Sequence, residues 1–260
     1  MSNPPPLTTG RLTALVVGVP LALAVIGWGA LNAVALVSAS SFQFHRDLAP
    51  SGSQVSVSVN AGNITLTPSN DGEVELTGVA RYGLVRPTVD ITTTGAGVSI
   101  SASCSWFLGD QCSVDLAVAI PSGVAVDAST DAGNITATNL GNLTLAADSG
   151  NLQVNGGSGN EHLTTDSGDI TAAAMDAATV NAGADSGDVT LSFSQAPSSV
   201  TVQDDSGNVV LTLPTEGLAY AVDAHSDSGS TSIEVPTDPT SAQSVSIWVD
   251  SGNVAVEPGG

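Results

Sequence analysis

From residue 54 to the C-terminus, apolar and polar residues alternate with a period of two. "VSVSV" at 55–59, "EVEL" at 73–76, "GVSISAS" at 97–103 and "SVDLAVAI" at 113–120 each put apolar side chains on one face and polar ones on the other. Half-buried strands read this way, and Gly, Pro, Asn and Asp punctuate the runs. No segment of this part carries the 3.6-residue period of a long amphipathic helix. Upstream the pattern changes. Residues 12–37, "LTALVVGVPLALAVIGWGALNAVALV", hold no charge. Their length would span ~39 Å as a helix, enough to cross a hydrocarbon core with some tilt. Pro20 would kink that helix, and Gly18, Gly27 and Gly29 are residues membrane helices tolerate. A cleaved signal peptide is the competing reading, with Val37-Ser38-Ala39 as a small-residue processing site. Its apolar stretch would ordinarily be only about 7–15 residues, which favours an uncleaved anchor.

The expected organisation is a cytoplasmic tail over 1–11, a transmembrane helix over 12–37, a linker over 38–53 and a β-strand-repeat ectodomain over 54–256, clearest over 124–256. There the tripeptide Asp-Ser-Gly and its variants recur. The acidic members are Asp131, Asp148, Asp166, Asp185, Asp205, Asp227 and Asp250, and the glycines are Gly133, Gly150, Gly168, Gly187, Gly207, Gly229 and Gly252. Two residues after each glycine stands Ile135, Leu152, Ile170, Val189, Val209, Thr231 or Val254; four after it stands Ala137, Val154, Ala172, Leu191, Leu211, Ile233 or Val256. An earlier cousin, "NAGNITL" at 60–66, puts Ile64 and Leu66 in the same columns. Glycine supplies a positive φ for a tight turn, and aspartate bonds back to the backbone as an Asx-turn. The next residues then share one face of the outgoing strand. Second turn signals such as "NLGN" at 139–142 make each repeat strand, turn, strand, turn. Stacked coils of this kind form an all-β, parallel β-solenoid, or β-helix-like, repeat domain. Antiparallel hairpins are the alternative, since similar turns also close hairpins. The spacing between glycines grows steadily from 17 to 23 residues, which predicts coils that widen toward the C-terminus.

Composition narrows the function classes. Four arginines and no lysine oppose 25 acidic residues, for a formal charge of −21. Nucleic acid is excluded as a partner, and an anionic membrane surface disfavoured, because both need clustered positive charge. Cys104 and Cys112 bracket "CSWFLGDQC" without histidine partners, which fits a disulfide in an oxidising compartment better than zinc. The C-terminal part is therefore expected outside the cell, on a single-pass protein held in the cell membrane by residues 12–37. Trp106 and Phe107 in that loop could form a binding tip or cover the open end of the solenoid.

The stretch "VDLAVAIPSGVAVDASTDAGNITATNLGNLTLAADSGNLQV" (114–154) resembles a family of bacterial β-strand-repeat domains labelled "putative adhesin". The resemblance lies in an alternating strand ending at Ile120-Pro121, a V-x-V strand and serial x-x-G-[N/D]-[I/L/V] turns, and it extends over residues 54–256. It implies a surface interaction module and brings no catalytic residues.

The chemistry-bearing residues agree with a non-enzymatic reading. The acids sit at repeating turns rather than in one cluster, and His162 and His225 fall in different repeats, with His162 read as a loop residue. No cofactor is implied. Turn aspartates stacked ~4.8 Å apart could attract calcium, but the calcium-binding nonapeptide of β-rolls is absent. "NIT" at 63–65 and 134–136 and "NLT" at 142–144 match a glycosylation pattern that arises automatically where a turn Asn precedes a strand. The expected function is that of an adhesin or surface interaction module meeting proteins or glycans. The rival reading is a sensory ectodomain acting through a membrane partner.

Overall fold

The computed structural model describes residues 19–29, 40–49, 52–105 and 111–259. Residues 19–29 are helical, and most of the remainder is strand. Among the described residues no helix is long and apolar enough to cross a membrane. The rest of the expected 12–37 span, the 1–11 tail and the Trp106-Phe107 pair lie outside them.

Twenty strands follow in chain order among the described residues. The first seven are β1 (Ser40–Leu48), β2 (Gln54–Val59), β3 (Ile64–Pro68), β4 (Val74–Tyr82), β5 (Thr88–Thr94), β6 (Gly97–Ser103) and β7 (Ser113–Ile120). The middle of the stack comprises β8 (Ala125–Ala132), β9 (Ile135–Thr138), β10 (Gly141–Ser149), β11 (Leu152–Asn155), β12 (Ser158–Ser167), β13 (Ile170–Ser186) and β14 (Val189–Phe193). The last are β15 (Ser199–Ser206), β16 (Val209–Pro214), β17 (Ala221–Ser228), β18 (Thr231–Ile233), β19 (Ser244–Ser251) and β20 (Val254–Gly259).

They build two facing sheets. One, sheet A, runs β1–β4–β7–β3–β9–β11–β13–β14–β16–β20–β18. The other, sheet B, runs β5–β6–β2–β8–β10–β12–β13–β15–β19–β17, with β13 bending from one sheet into the other. Pairing is parallel throughout the repeats, so the solenoid expectation holds over the hairpin alternative. Among the described residues antiparallel pairs occur only at the N-terminal end, in β1–β4, β4–β7 and β5–β6.

The columns read from the sequence are continuous ladders. Ile64, Ile135, Leu152, Ile170, Val189, Val209 and Val254 lie in direct register and are buried. Each buried Val, Leu or Ile contributes about 1.5–3 kcal/mol relative to exposure. Facing them, sheet B stacks Val98, Val55, Val126, Leu143, Glu161, Val180, Val200, Val245 and Val222, an apolar ladder with one acid in it.

Three expectations need correction. Residues 40–48, assigned to the linker, form β1: Phe42, Phe44 and Leu48 alternate, and the strand finds a partner along all of β4. The coils do not widen in chain order to the end. Up to β16 the extra residues enter at the corner from sheet A to sheet B, as register shifts at Gly159/Asn160 and Ala172/Met175 and as the connection from Phe193 to Ser199. After β16 the order breaks: the last coil, β19–β20, inserts between β15–β16 and β17–β18. Coil β17–β18 thus ends the stack, which is why Thr231 and Ile233 are exposed where every other coil buries its pair. Finally, His162 lies on β12 and faces outward, not in a loop.

Candidate functional site

The repeated turn is structural, by a mechanism different from the one its residues suggest. A Cβ placed on Gly133, Gly150, Gly168, Gly187, Gly207, Gly252 or Gly229 would fall 1.6–2.1 Å from the carbonyl oxygen of the glycine on the adjoining coil. Five of these glycines have φ between +143° and +152° or +156°, but Gly207 and Gly229 show no such angle and clash all the same. Close stacking of the coils, more than the turn angle, therefore requires glycine here. The next residue carries the second ladder. Asn63 Oδ1 accepts from Asn134 N–H, Asn134 Oδ1 from Asn151 N–H, Asn151 Oδ1 from Asp169 N–H, and so on through Asp169, Asp188, Asn208 and Asn253 to Ser230. Asp115, bound to Arg81 and to the Asn63 N–H, starts the ladder. Burial pushes its carboxyl up, but the hydrogen bonds from Asn63 and Arg81 outweigh this and hold it below the ordinary range.

The turn aspartates Asp131, Asp148, Asp166, Asp185, Asp205, Asp227 and Asp250 are all exposed. The Asx-turn role belongs elsewhere: only Asp227 among them makes a side-chain hydrogen bond, to His225 at 2.8 Å. They form an acidic edge along the corner from sheet B to sheet A. Among the described residues no three His, Cys, Asp or Glu side chains converge to hold a metal ion. Cys104 and Cys112 are joined as expected. The disulfide lies beside Asn60, whose side chain donates to Cys104 O and accepts from Cys104 N–H.

The feature with the makings of a binding surface is the outer face of sheet B. Strand alternation points every second residue outward. Four residues before each turn glycine, this places Ser58, Ser129, Ala146, Thr164, Gly183, Gln203, Trp248 and His225 in one row across β2, β8, β10, β12, β13, β15, β19 and β17. The row is small and polar until Trp248, which stays 52% exposed with the His225 ring 4.7 Å away, itself held by Asp227. Nearer the strand starts, the same face sinks into a shallow groove of about 600 Å³. Asp127, Asn142, Asn160, His162, Thr179 and Asn181 line it, and Asn142 Oδ1 accepts from Asn160 N–H at 3.1 Å. Amides, hydroxyls, one imidazole and one carboxylate thus share a face with an open indole. Sequence reasoning missed this surface because it followed the inward columns and the turns and did not read the outward positions. The signal present was one tryptophan in an outward register otherwise reserved for small or polar residues.

Two acids are buried beneath this face. Glu161 stands in the apolar ladder with both carboxyl oxygens unpartnered, and burial pushes it up to about 7. Asp204 is also buried; loss of solvation raises it to about 6, with Asp188 and Asp205 adding to the effect against a hydrogen bond from Ser206 N–H.

A family of known domains, the Toastrack DUF4097 family, matches residues 47–257. No curated protein matches the chain. Among solved structures, one titled a "putative cell adhesion protein" from Clostridium sporogenes ATCC 15579 is similar over 85% of this chain and 100% of its own, at 12% identity and a TM-score of 0.39. Another, titled a "putative adhesin" from Bacteroides fragilis NCTC 9343, is similar over 84% and 98%, at 15% identity and a TM-score of 0.47.

Proposed function

The chain belongs to the Toastrack DUF4097 family, and on that premise we propose that it is a membrane-anchored, non-enzymatic surface interaction module that meets neutral glycans on the outer face of sheet B. The observation that carries this reading is Trp248. An exposed indole face on a rigid sheet is a platform for the C–H face of a sugar ring, and burying it there recovers apolar area that water otherwise covers. The flanking Gln203 and His225, and the amides of the groove on the same face, supply the donors and acceptors that hydroxyl groups need. The charge of −21 works against anionic partners and leaves neutral ones.

What supports a non-enzymatic role is the distribution of polar groups, which repeat along the stack instead of converging on one point. Anchoring is supported by the uncharged run 12–37 and by the described helix, whose Leu21, Leu23, Ile26 and Trp28 side chains are all exposed. The Cys104–Cys112 disulfide supports an extracellular location. The test is a panel of neutral and acidic oligosaccharides titrated into the purified protein and its W248A variant. Neutral sugars should bind and W248A should abolish binding. Unchanged binding by W248A, or binding restricted to acidic sugars, would overturn the assignment.

A further inference from the structure

The N-terminal end of the stack differs from every other part in chemistry. In β1 the residues facing the core are Phe42, Phe44, Arg46 and Leu48, opposite Ala80, Gly78, Leu76 and Val74 of β4. Phe44 lies over Gly78, where a Cβ would come within 2.0 Å of the ring. Across from them, β5 turns Val89 and Ile91 inward. As β1 and β5 are the last strands of their sheets, the core opens there in a groove of about 590 Å³, within the range of small-ligand sites. Phe42, Phe44, Val89 and Ile91 supply its apolar lining, Gln43 and His45 also border it, and its rim is cationic: the Arg86 guanidinium sits 4.0 Å from the Phe42 ring centre, and Arg46 projects from the core-side face of β1.

This concentration stands out against the whole chain. Of the three described arginines, Arg81 is bound to Asp115; the other two both meet this groove, Arg46 also donating to the exposed His45 carbonyl at 2.8 Å. The acids on the described strands packed at the groove are occupied or point away: Asp47 pairs with His45 at 2.9 Å, Glu75 alternates to the outer face of β4 opposite Asp47, and Asp90 alternates to the outer face of β5. The loop from β4 to β5 beside the groove exposes Leu84 and Val85, two of the four large apolar side chains exposed outside the helix among the described residues. Position adds a further constraint. β1 begins at Ser40, so only two residues separate it from the uncharged run that ends at 37, and two residues reach no more than ~7 Å.

We propose that this groove binds one anionic phospholipid of the membrane that holds the chain, with acyl carbons between Phe42, Phe44 and Val89, Ile91 and the phosphate on Arg46 and Arg86. The inference rests on the anchoring part of the reading above. A domain of strongly negative charge is repelled by an anionic bilayer everywhere except at this foot, so the contact also sets it upright. Arginine suits the role because its planar fork binds phosphate with two parallel hydrogen bonds while its stem lies on an aromatic ring.

The test uses the full chain in a neutral detergent, titrated with short-chain phosphatidylglycerol, short-chain phosphatidylcholine or inorganic phosphate. Phosphatidylglycerol should bind one per chain, at least tenfold more tightly than phosphatidylcholine, and R46Q/R86Q should lose that preference while melting as the wild type does. F42S/F44S should weaken both lipids. Equal binding of the two lipids, an R46Q/R86Q variant that keeps the preference, or inorganic phosphate competing as well as the lipid would each overturn the proposal. Carbonate extraction of membranes separates the two claims. Release by carbonate sinks the anchor and with it the membrane as the source of the lipid, whereas a retained chain without lipid preference sinks the groove assignment alone.

Discussion

Glu161 offers a sharp test of how this fold tolerates an acid in its core. Gly141, Ser158 and Asp176 are in register on successive coils, so the residues before them, Leu140, Gly157 and Met175, stack at one corner. Leu140 and Met175 fill the interior there, and Gly157 leaves a gap. Glu161 fills it: a Cβ on Gly157 would lie 1.6 Å from Glu161 Oε1. The carboxyl is 2% exposed, has no hydrogen-bond partner and rises to about 7 through burial alone. Against the ordinary glutamate value of 4.5, that difference is worth roughly 3 kcal/mol. The sign follows from proton counts. Below the ordinary value both folded and unfolded states hold the proton, and the full stability is present. Between there and about pH 7 the unfolded chain releases the proton while the folded one keeps it, so stability falls as pH rises and levels off above 7.

Replacing Glu161 by methionine keeps the length of the side chain and removes the charge. Urea denaturation at pH 5, 6, 7 and 8 should show E161M more stable than the wild type by about 3 kcal/mol or more at pH 8. For a domain of this size that corresponds to roughly 6–12 °C in Tm. The gap should shrink toward pH 5, where the cost of burying a neutral, unpartnered acid, about 1–3 kcal/mol, remains together with roughly 1 kcal/mol from the unfolded chain's ionisation. Parallel pH profiles for the two proteins, or an E161M variant that is the less stable at pH 8, would refute the reasoning.

Other expectations follow from neighbouring geometry. Thr130, Thr165 and Ser226 donate their hydroxyls to the carbonyls of Gly62, Gly150 and Gly252, and Asp204 occupies the equivalent place toward Gly187. Asp204→Thr should therefore gain about 1 kcal/mol at pH 7.5, and the gain should fade below the aspartate's value of about 6, as denaturation at pH 5 would show. Gly168→Ala should cost at least about 3 kcal/mol, since its Cβ would lie 2.1 Å from the Gly150 oxygen, while Gly72→Ala, in open space, should cost about 1; a pair of thermal melts compares them. Asn151→Ala, which leaves the Asp169 N–H without its acceptor, should lose about 1 kcal/mol, whereas Asn151→Asp, matching Asp169 and Asp188 elsewhere in the ladder, should be near neutral at pH 7.

How much of this was legible depended on the range over which each feature is encoded. The +2 and +4 columns, the corner glycines and the strand periods repeat every 17–23 residues, so the sequence displays them many times over, and the structure keeps them in register. The role of glycine was read only in part: five of the seven turn glycines take the expected positive φ, but the close stack requires glycine as well, which Gly207 and Gly229 show on their own, and only coordinates reveal their angles. The ladder at the following residue was visible as Asn134, Asn151, Asp169, Asp188 and Asn208, but the more conspicuous Asp-Ser before the glycine drew the structural role to the wrong side chain. Coil order was illegible for another reason. Inserting β19–β20 beneath β17–β18 changes which coils touch and leaves every local pattern intact, since each coil presents the same columns to any neighbour. One residue did register it. Thr231 breaks a column of aliphatic residues, and a polar residue can stand there only if nothing stacks beyond it. The exception in the repeat thus marks the end of the described solenoid, 29 residues before Gly260, and the same logic makes Trp248 an exception on the outer face: in a stack built from sameness, the departures carry the information about position and partner.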